Sequence, residues 1–264
     1  MGIPNVTPDS FSDGGQYSNV DAALRRAETM IEDGVDLIDV GGESTRPGSQ
    51  RIDAGEEIDR TTSIVAAIAK RFDIPISIDT TKAAVAQANL DAGAEMINDI
   101  SGLRWDESLA RIAAERGAGL VLMHSRGEFE TMHSQPPVDD IFAEVIRGLS
   151  KSVDTAREAG VADDQLVLDI GIGFGKTAEQ NLELIANLDA IDWELRQFPL
   201  LVGASRKSFI GKMTGEDDPE RRLAGSLAAA VFAVANGARI VRVHDVRETV
   251  HVLRVTGAIE QQRR

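Results

Sequence analysis

A chain of 264 residues with a formal charge of −15 has room for one large domain or two small ones. That charge argues against nucleic acid or an anionic membrane surface as a partner, so any anion it binds must be met by a few local Arg and Lys. Cysteine is absent, which excludes disulfides, a thiolate nucleophile and a thiolate metal site, while 42% apolar and 27% charged residues suit an ordinary globule.

Residues 1–6 read as a first strand ending near Asn5, followed by a turn-rich segment over 7–19. An amphipathic helix then ends at Gly34, and a short apolar strand follows over 35–40. The same pattern recurs at Gly93 before 96–100, Gly117 before 119–123, Gly160 before 166–170 and Gly237 before 238–243. Glycine just past a helix supplies its left-handed cap, so each marks a helix-to-strand corner, and together they form an internal repeat. Residues 74–79 and 199–203 fit as two more strands. Eight strands alternating with eight helical segments predict the α/β class, a (β/α)8 TIM barrel forming one domain over 1–264. A doubly wound open sheet is the competing architecture. Strand-to-helix segments are long, at 7–19, 41–54, 124–139 and 204–218, which places the site on the C-terminal rim.

The most informative stretch runs Leu166-Val167-Leu168-Asp169-Ile170-Gly171-Ile172-Gly173-Phe174-Gly175-Lys176. Apolar residues lead straight into a carboxylate and then a glycine-rich loop, as a buried parallel strand does when it delivers a polar group to its end. A P-loop ending at Gly175-Lys176-Thr177 needs glycine where Ile170 stands. A dinucleotide fingerprint from Gly171 needs glycine where Lys176 stands. The loop therefore serves another site, centred on Asp169. Elsewhere, Gly203-Ala204-Ser205-Arg206-Lys207 lacks the second glycine of a nucleophile elbow, and His124, His133, His244 and His251 lack zinc spacing. Glu216-Asp217-Asp218 before Pro219 reads as a helix start, and His251 as a surface residue of the last helix. No signal peptide is read, and the longest apolar run, Leu223–Ala235, is too short for a bilayer, so a soluble cytoplasmic protein is expected.

Strand ends at Asp39, Asp79, Asn98 and Asp169 converge acceptors on one mouth. The chain then becomes recognisable. Met1-Gly2-Ile3-Pro4-Asn5-Val6-Thr7-Pro8-Asp9-Ser10-Phe11-Ser12-Asp13-Gly14-Gly15 and Ile38-Asp39-Val40-Gly41-Gly42-Glu43-Ser44-Thr45-Arg46-Pro47-Gly48 resemble the two signatures of the dihydropteroate synthase family. The resemblance continues through Ser77-Ile78-Asp79-Thr80, Ile97-Asn98-Asp99-Ile100, Leu122-Met123-His124, 169–176, Val202-Gly203-Ala204-Ser205-Arg206-Lys207-Ser208 and Ile240-Val241-Arg242-Val243-His244-Asp245. It covers essentially the whole chain.

The resemblance implies a pterin site of Asp79, Asn98, Met123, Asp169, Lys207 and Arg242. It implies a p-aminobenzoate pocket of Phe11, Thr45, Arg46, Pro47, Gly173, Phe174, Lys207 and Ser208. Pyrophosphate would lie on Asn5, Arg242 and His244, with Mg²⁺ held through Asn5 and the phosphates. The groups expected to act in the reaction are Asp13, Asp79, Asp169, Lys207, Arg242 and His244, and a homodimer through the late helices is expected. Two departures stand out: Ile170 where the family usually has proline, and Ser125 where methionine commonly follows the histidine. A related pterin-binding methyltransferase, which would not need Thr45-Arg46-Pro47, and a catalytically silent pterin-binding paralogue are the alternatives.

Overall fold

The computed structural model describes residues 1–4 and 16–262. Seven parallel strands follow one another in space as they do in sequence: β1 Ile38–Gly41, β2 Ile76–Asp79, β3 Met96–Asp99, β4 Gly119–Met123, β5 Leu166–Asp169, β6 Leu200–Val202 and β7 Ile240–Val241. The chain's first residues close the ring. Gly2 bridges in parallel to both Ile38 and Val243, donating to Leu37 O at 2.8 Å, while Val243 N donates to Met1 O at 3.0 Å. The eighth strand expected over 1–6 is thus a short bridging segment here. Pro4 has no N–H to extend it, and Asn5 and Val6 lie outside the described residues.

The expected corners form as read. Gly34, Gly93, Gly117, Gly160 and Gly237 all take positive φ, between 62° and 112°. At each corner the residue after the glycine (Val35, Ala94, Ala118, Val161 and Ala238) donates its N–H to the helical carbonyl five residues back, at 2.9–3.0 Å. This is the Schellman closure, which satisfies carbonyls orphaned at a helix end. It also explains why β1 and β7 begin later than the apolar run: the N–H of Val35 and of Ala238 is spent on the preceding helix.

Around the ring lie α1 Gln16–Glu32, α2 Ala54–Arg71, α3 Ala83–Asp91, α4 Ser108–Arg116, α5 Ile141–Glu158, α6 Ala178–Ala186, α7 Leu188–Glu194, α8 Ser208–Thr214, α9 Leu223–Ala235 and α10 Val246–Glu260. Two helices exceed the expected eight. The crossover from β5 to β6 breaks at Asn187 into α6 and α7, and α8 folds within the expected rim loop 204–218. Asp218 caps the 3₁₀ turn at Pro219–Arg221 by accepting from Glu220 N at 2.9 Å, ahead of α9, so the acidic run does mark a helix start.

Period-two alternation sorts the strands. Ile38, Val40, Ile76, Ile78, Ile97, Leu120, Leu122, Leu166, Leu168, Leu200 and Val202 join the large core shared with the helices. Met1, Val121, Val167 and Leu201 form a separate cluster inside the ring. By the same alternation Asp79, Asn98, Met123, Asp169 and Arg242 face inward above that plug. The barrel floor is sealed by hydrocarbon and its mouth is polar.

Candidate active site at the barrel mouth

Arg242, just past β7, is the hub of the mouth. Its Nε donates to Asp39 Oδ2 at 2.6 Å, and a terminal nitrogen donates to Asp79 Oδ2 at 2.6 Å. Asn98 Nδ2 reaches the same Asp39 oxygen at 3.1 Å. Asp39 pairs in register with Ser77, two residues before Asp79 on β2, and is 0% exposed. It therefore lies beneath the mouth and orients Arg242 and Asn98. The other Asp39 oxygen meets no donor among the described residues. Asp99, next to Asn98, serves the loop instead, accepting from Ser101 N, Ser101 Oγ and Leu103 N.

Burial pushes the Asp79 carboxyl up to about 7, against the pull of Arg242. The folded protein thus favours the protonated acid more than the unfolded chain does. That contribution to stability is complete below the ordinary value of 3.8 and is lost as pH rises towards about 7. Asp79→Asn, which mimics the protonated acid, should remove a slope on the order of 1 kcal/mol per pH unit between pH 5 and 7. Urea unfolding across that range is the check, and an unchanged slope in the variant would reject it.

Asp169, at the end of β5, is buried, and its Oδ1 accepts from Gly171 N at 2.7 Å. Burial raises its pKa, opposed by that hydrogen bond and by Lys207 and Lys176. A Cβ placed on Gly203 would stand 3.9 Å from Asp169 Oδ2 and 3.8 Å from the Arg242 Cβ, so this glycine lies between the two side chains and takes up little room there. Beside it, Lys207 Nζ sits over the Phe174 ring, 3.9 Å from the centroid, with its pKa lowered by burial to about 8.

The glycine-rich loop is held from within. Lys176 Nζ donates to His124 O, Gly171 O and Phe174 O at 3.2, 2.8 and 3.1 Å, and burial lowers its pKa to about 7. Ile170, where proline was expected, is fully buried in the main core, so packing and the Lys176 cage supply the rigidity. Arg206, in a left-handed conformation at φ 58°, grips Asp245 through both oxygens at 2.6 and 3.1 Å. This staples the β6 loop to the start of α10. Next to it, Ser205 Oγ accepts from His244 N at 3.2 Å and stands 3.1 Å from His244 Nδ1. When the hydroxyl donates to Nδ1, the neutral ring carries its proton on Nε2. Burial, then Arg242 and Arg206, lower the His244 pKa to about 3, so the ring is neutral.

Thr45 is half-buried and Arg46 and Pro47 are exposed on the β1–α2 loop, where Arg46 contributes to the field at His244. The base of that loop is fixed by Glu43, which accepts from Ile52 N and Lys82 Nζ, both at 2.8 Å, while Lys82 also pairs with the buried Glu57. Ser208 opens α8 and is exposed. Of the residues read from sequence, the structure brings Asp79, Asn98, Met123, Asp169, Gly173, Phe174, Lys207, Arg242 and His244 to one mouth. Asn5, Phe11 and Asp13 lie outside the described residues. Sequence reading passed over Lys176, Arg206 with Asp245, and Glu43 with Lys82 as supports. Only the polarity of a lysine closing a glycine-rich loop offered a hint.

The fold and this mouth define a class: a (β/α)8 barrel whose C-terminal rim sets buried acids and an amide beside cations. Residues 1–244 match the family of pterin binding enzymes. A dihydropteroate synthase from Synechocystis is 47% identical over 261 residues, covering 98% of this chain and 89% of that protein. The solved dihydropteroate synthase of Xanthomonas albilineans with 4-aminobenzoic acid has a TM-score of 0.91 and 42% identity, covering 98% of this chain and 92% of the other. That of Yersinia pestis in complex with a sulfonamide drug has a TM-score of 0.92 and 44% identity, covering 99% and 94%. The chain belongs to the pterin-binding enzymes, in the dihydropteroate synthase family of folate biosynthesis.

Proposed function

We propose that the chain, as one domain, joins the pyrophosphate ester of 6-hydroxymethyl-7,8-dihydropterin to p-aminobenzoate, giving 7,8-dihydropteroate and pyrophosphate. The observation that carries this is the interleaving of Asp169, Asp79 and Asn98 with Arg242 and Lys207 around one mouth. Asp169 accepts from the aminopyrimidinone edge, Asn98 and Asp79 read the rest of the ring, and Lys207 donates to its carbonyl. Met123 lines the wall. Two of the three Arg242 nitrogens are engaged by Asp39 and Asp79, which leaves the guanidinium face to cover the ring.

The reaction is a dissociative substitution. The bond from the exocyclic carbon to the pyrophosphate oxygen breaks, both electrons leave with pyrophosphate, and the carbocation is delocalised into the ring. The amine of p-aminobenzoate then adds to that carbon and loses a proton. Asp79, Asp169 and Asp13 stabilise the cation, while Arg242 and the Nε2–H of His244 receive the leaving anion. Catalysis rests on positioning and electrostatics, with no covalent nucleophile. Phe11, Thr45, Arg46, Pro47, Gly173, Phe174, Lys207 and Ser208 form the p-aminobenzoate pocket. Asn5 and the phosphates would hold Mg²⁺. No group of three His, Asp or Glu able to hold a metal occurs among the described residues. An ion bound there would keep most of its waters and take few protein ligands. Its chemistry is to neutralise the diphosphate.

The test is pyrophosphate release with both substrates, with and without Mg²⁺, followed by a sulfonamide titration. Release that requires both substrates, and competition between the sulfonamide and p-aminobenzoate, is the expected result. Pterin binding without release would favour the silent paralogue.

We also infer a homodimer through α9 and α10. Ala224, Ala228 and Phe232 recur every four residues on α9 and are all exposed, Phe232 at 61%; Val255 and Ile259 are exposed on α10, which packs on α9. Such a bare apolar stripe fits an interface. Phe232→Glu should convert a dimer to a monomer in light scattering, and a monomeric parent protein would reject the inference. The lack of cysteine and the acidic surface support a cytoplasmic setting, and no described helix is long and apolar enough to cross a membrane.

A further inference from the structure

His133 lies on the β4–α5 loop, outside every motif that marks the site. Its Nε2 stands 2.7 Å from Thr45 O, and its Nδ1 stands 3.3 Å from Gly173 O. Its ring lies 5.5 Å from the Phe174 ring, tilted by 37°, and Phe174 in turn carries Lys207 Nζ. One side chain therefore spans the loops after β1 and β5. Carbonyl oxygens only accept, so a ring N–H is the donor wherever a hydrogen bond forms, and the shorter contact, to Thr45 O, is the closer fit to hydrogen-bond geometry.

Other ties hold these loops away from the tip: Arg126 donates to Gly175 O at 2.8 Å, and the Arg51 guanidinium lies over the Trp105 ring. Gly173 N donates to Asn181 Oδ1 at 2.7 Å. At the tip of the β1 loop the hydrogen bonds are internal: Arg46 N to Ser44 Oγ, Ser49 N to Arg46 O and Ser49 Oγ to Ser44 Oγ. Among the described residues, His133 is what ties this tip across the mouth.

We propose that His133 is a positioning residue for p-aminobenzoate, fixing the separation between Arg46 and Phe174 by clamping their neighbours Thr45 and Gly173. This rests on the reading that these two loops receive p-aminobenzoate. It touches neither reacting centre, so it acts on the width of the pocket and leaves the pterin slot alone. Loss of its donor removes one hydrogen bond across the mouth, and the tip then samples wider positions.

Steady-state pyrophosphate release, with each substrate titrated separately, tests this on His133→Leu and His133→Gln. Leu keeps apolar contact with Phe174 and removes the donor, whereas Gln can still donate to Thr45 O. Leu should raise the KM for p-aminobenzoate about five- to tenfold, with kcat and the KM for the pterin substrate within about twofold of the parent. Gln should recover most of the loss. An unchanged KM for p-aminobenzoate in the Leu variant overturns the proposal, as does an equal rise in both KM values with Gln no better than Leu. Calorimetric Kd values for p-aminobenzoate read the same shift without turnover. Loss of turnover in the parent protein alone would overturn the proposed reaction, and loss of the shift alone would overturn the role of His133.

Discussion

Asp169→Ala should abolish pterin binding rather than merely slow turnover. The carboxylate is the buried acceptor at the end of β5, and the paired N–H groups of an aminopyrimidinone edge would bond to it through charge-assisted contacts worth about 1.5–3 kcal/mol each. Losing two weakens binding by roughly 10²–10⁴-fold. The variant also leaves Gly171 N without its acceptor, so circular dichroism and thermal unfolding should accompany the calorimetry. Asp169→Asn is the companion. It keeps an oxygen for Gly171 but turns one of two acceptors into a donor, so it should fold like the parent and still bind weakly. Parent-like affinity in either variant would remove Asp169 from the pterin site.

The second large effect is expected at Arg242. Replacing it by methionine leaves Asp39 and Asp79 facing each other with no cation between them. Removing one partner of a buried pair costs about 3–5 kcal/mol, and here two carboxylates lose the same partner. Without the guanidinium that pulls it down, the Asp79 carboxyl should rise further, so the variant should regain stability as pH falls from 8 to 5. Activity should fall by roughly 10³-fold, because the cation that meets developing charge is gone. Adding Asp39→Asn separates the two roles. The double variant should recover much of the stability in urea unfolding and none of the kcat/KM. Recovery of both would make Arg242 a structural counter-ion only.

The fold was legible because its signals are local. Each corner glycine sits one residue before an N–H that bonds five residues back, and a strand that alternates hydrocarbon with acid announces which side chains face inward. For that reason Asp79, Asn98 and Asp169 could be picked out before any coordinates. What stayed hidden depends on pairs far apart in the chain. Nothing near Arg242 announces that Asp39, 203 residues away, lies beneath it and directs its plane. Nor does 131–135 suggest that His133 spans two loops from other parts of the barrel. Helix α8 was missed because seven residues beginning at Ser208 look like loop when flanked by glycine and charge. Within residues 1–4 the pairing is a bridge at Gly2, and Pro4 has no N–H to add to it.

The seam between the first residues and β7 has a consequence for how the protein is made. Met1 N donates to Val241 O across a separation of 240 residues, and the Arg242–Asp39 pair lies on the same seam. Contacts of such long range carry the greatest entropic cost and tend to complete late. A ribosome-bound chain that has not yet released its last helices can build most of the wheel but not its electrostatic hub. The seam that carries Arg242 is therefore among the last contacts the ring completes.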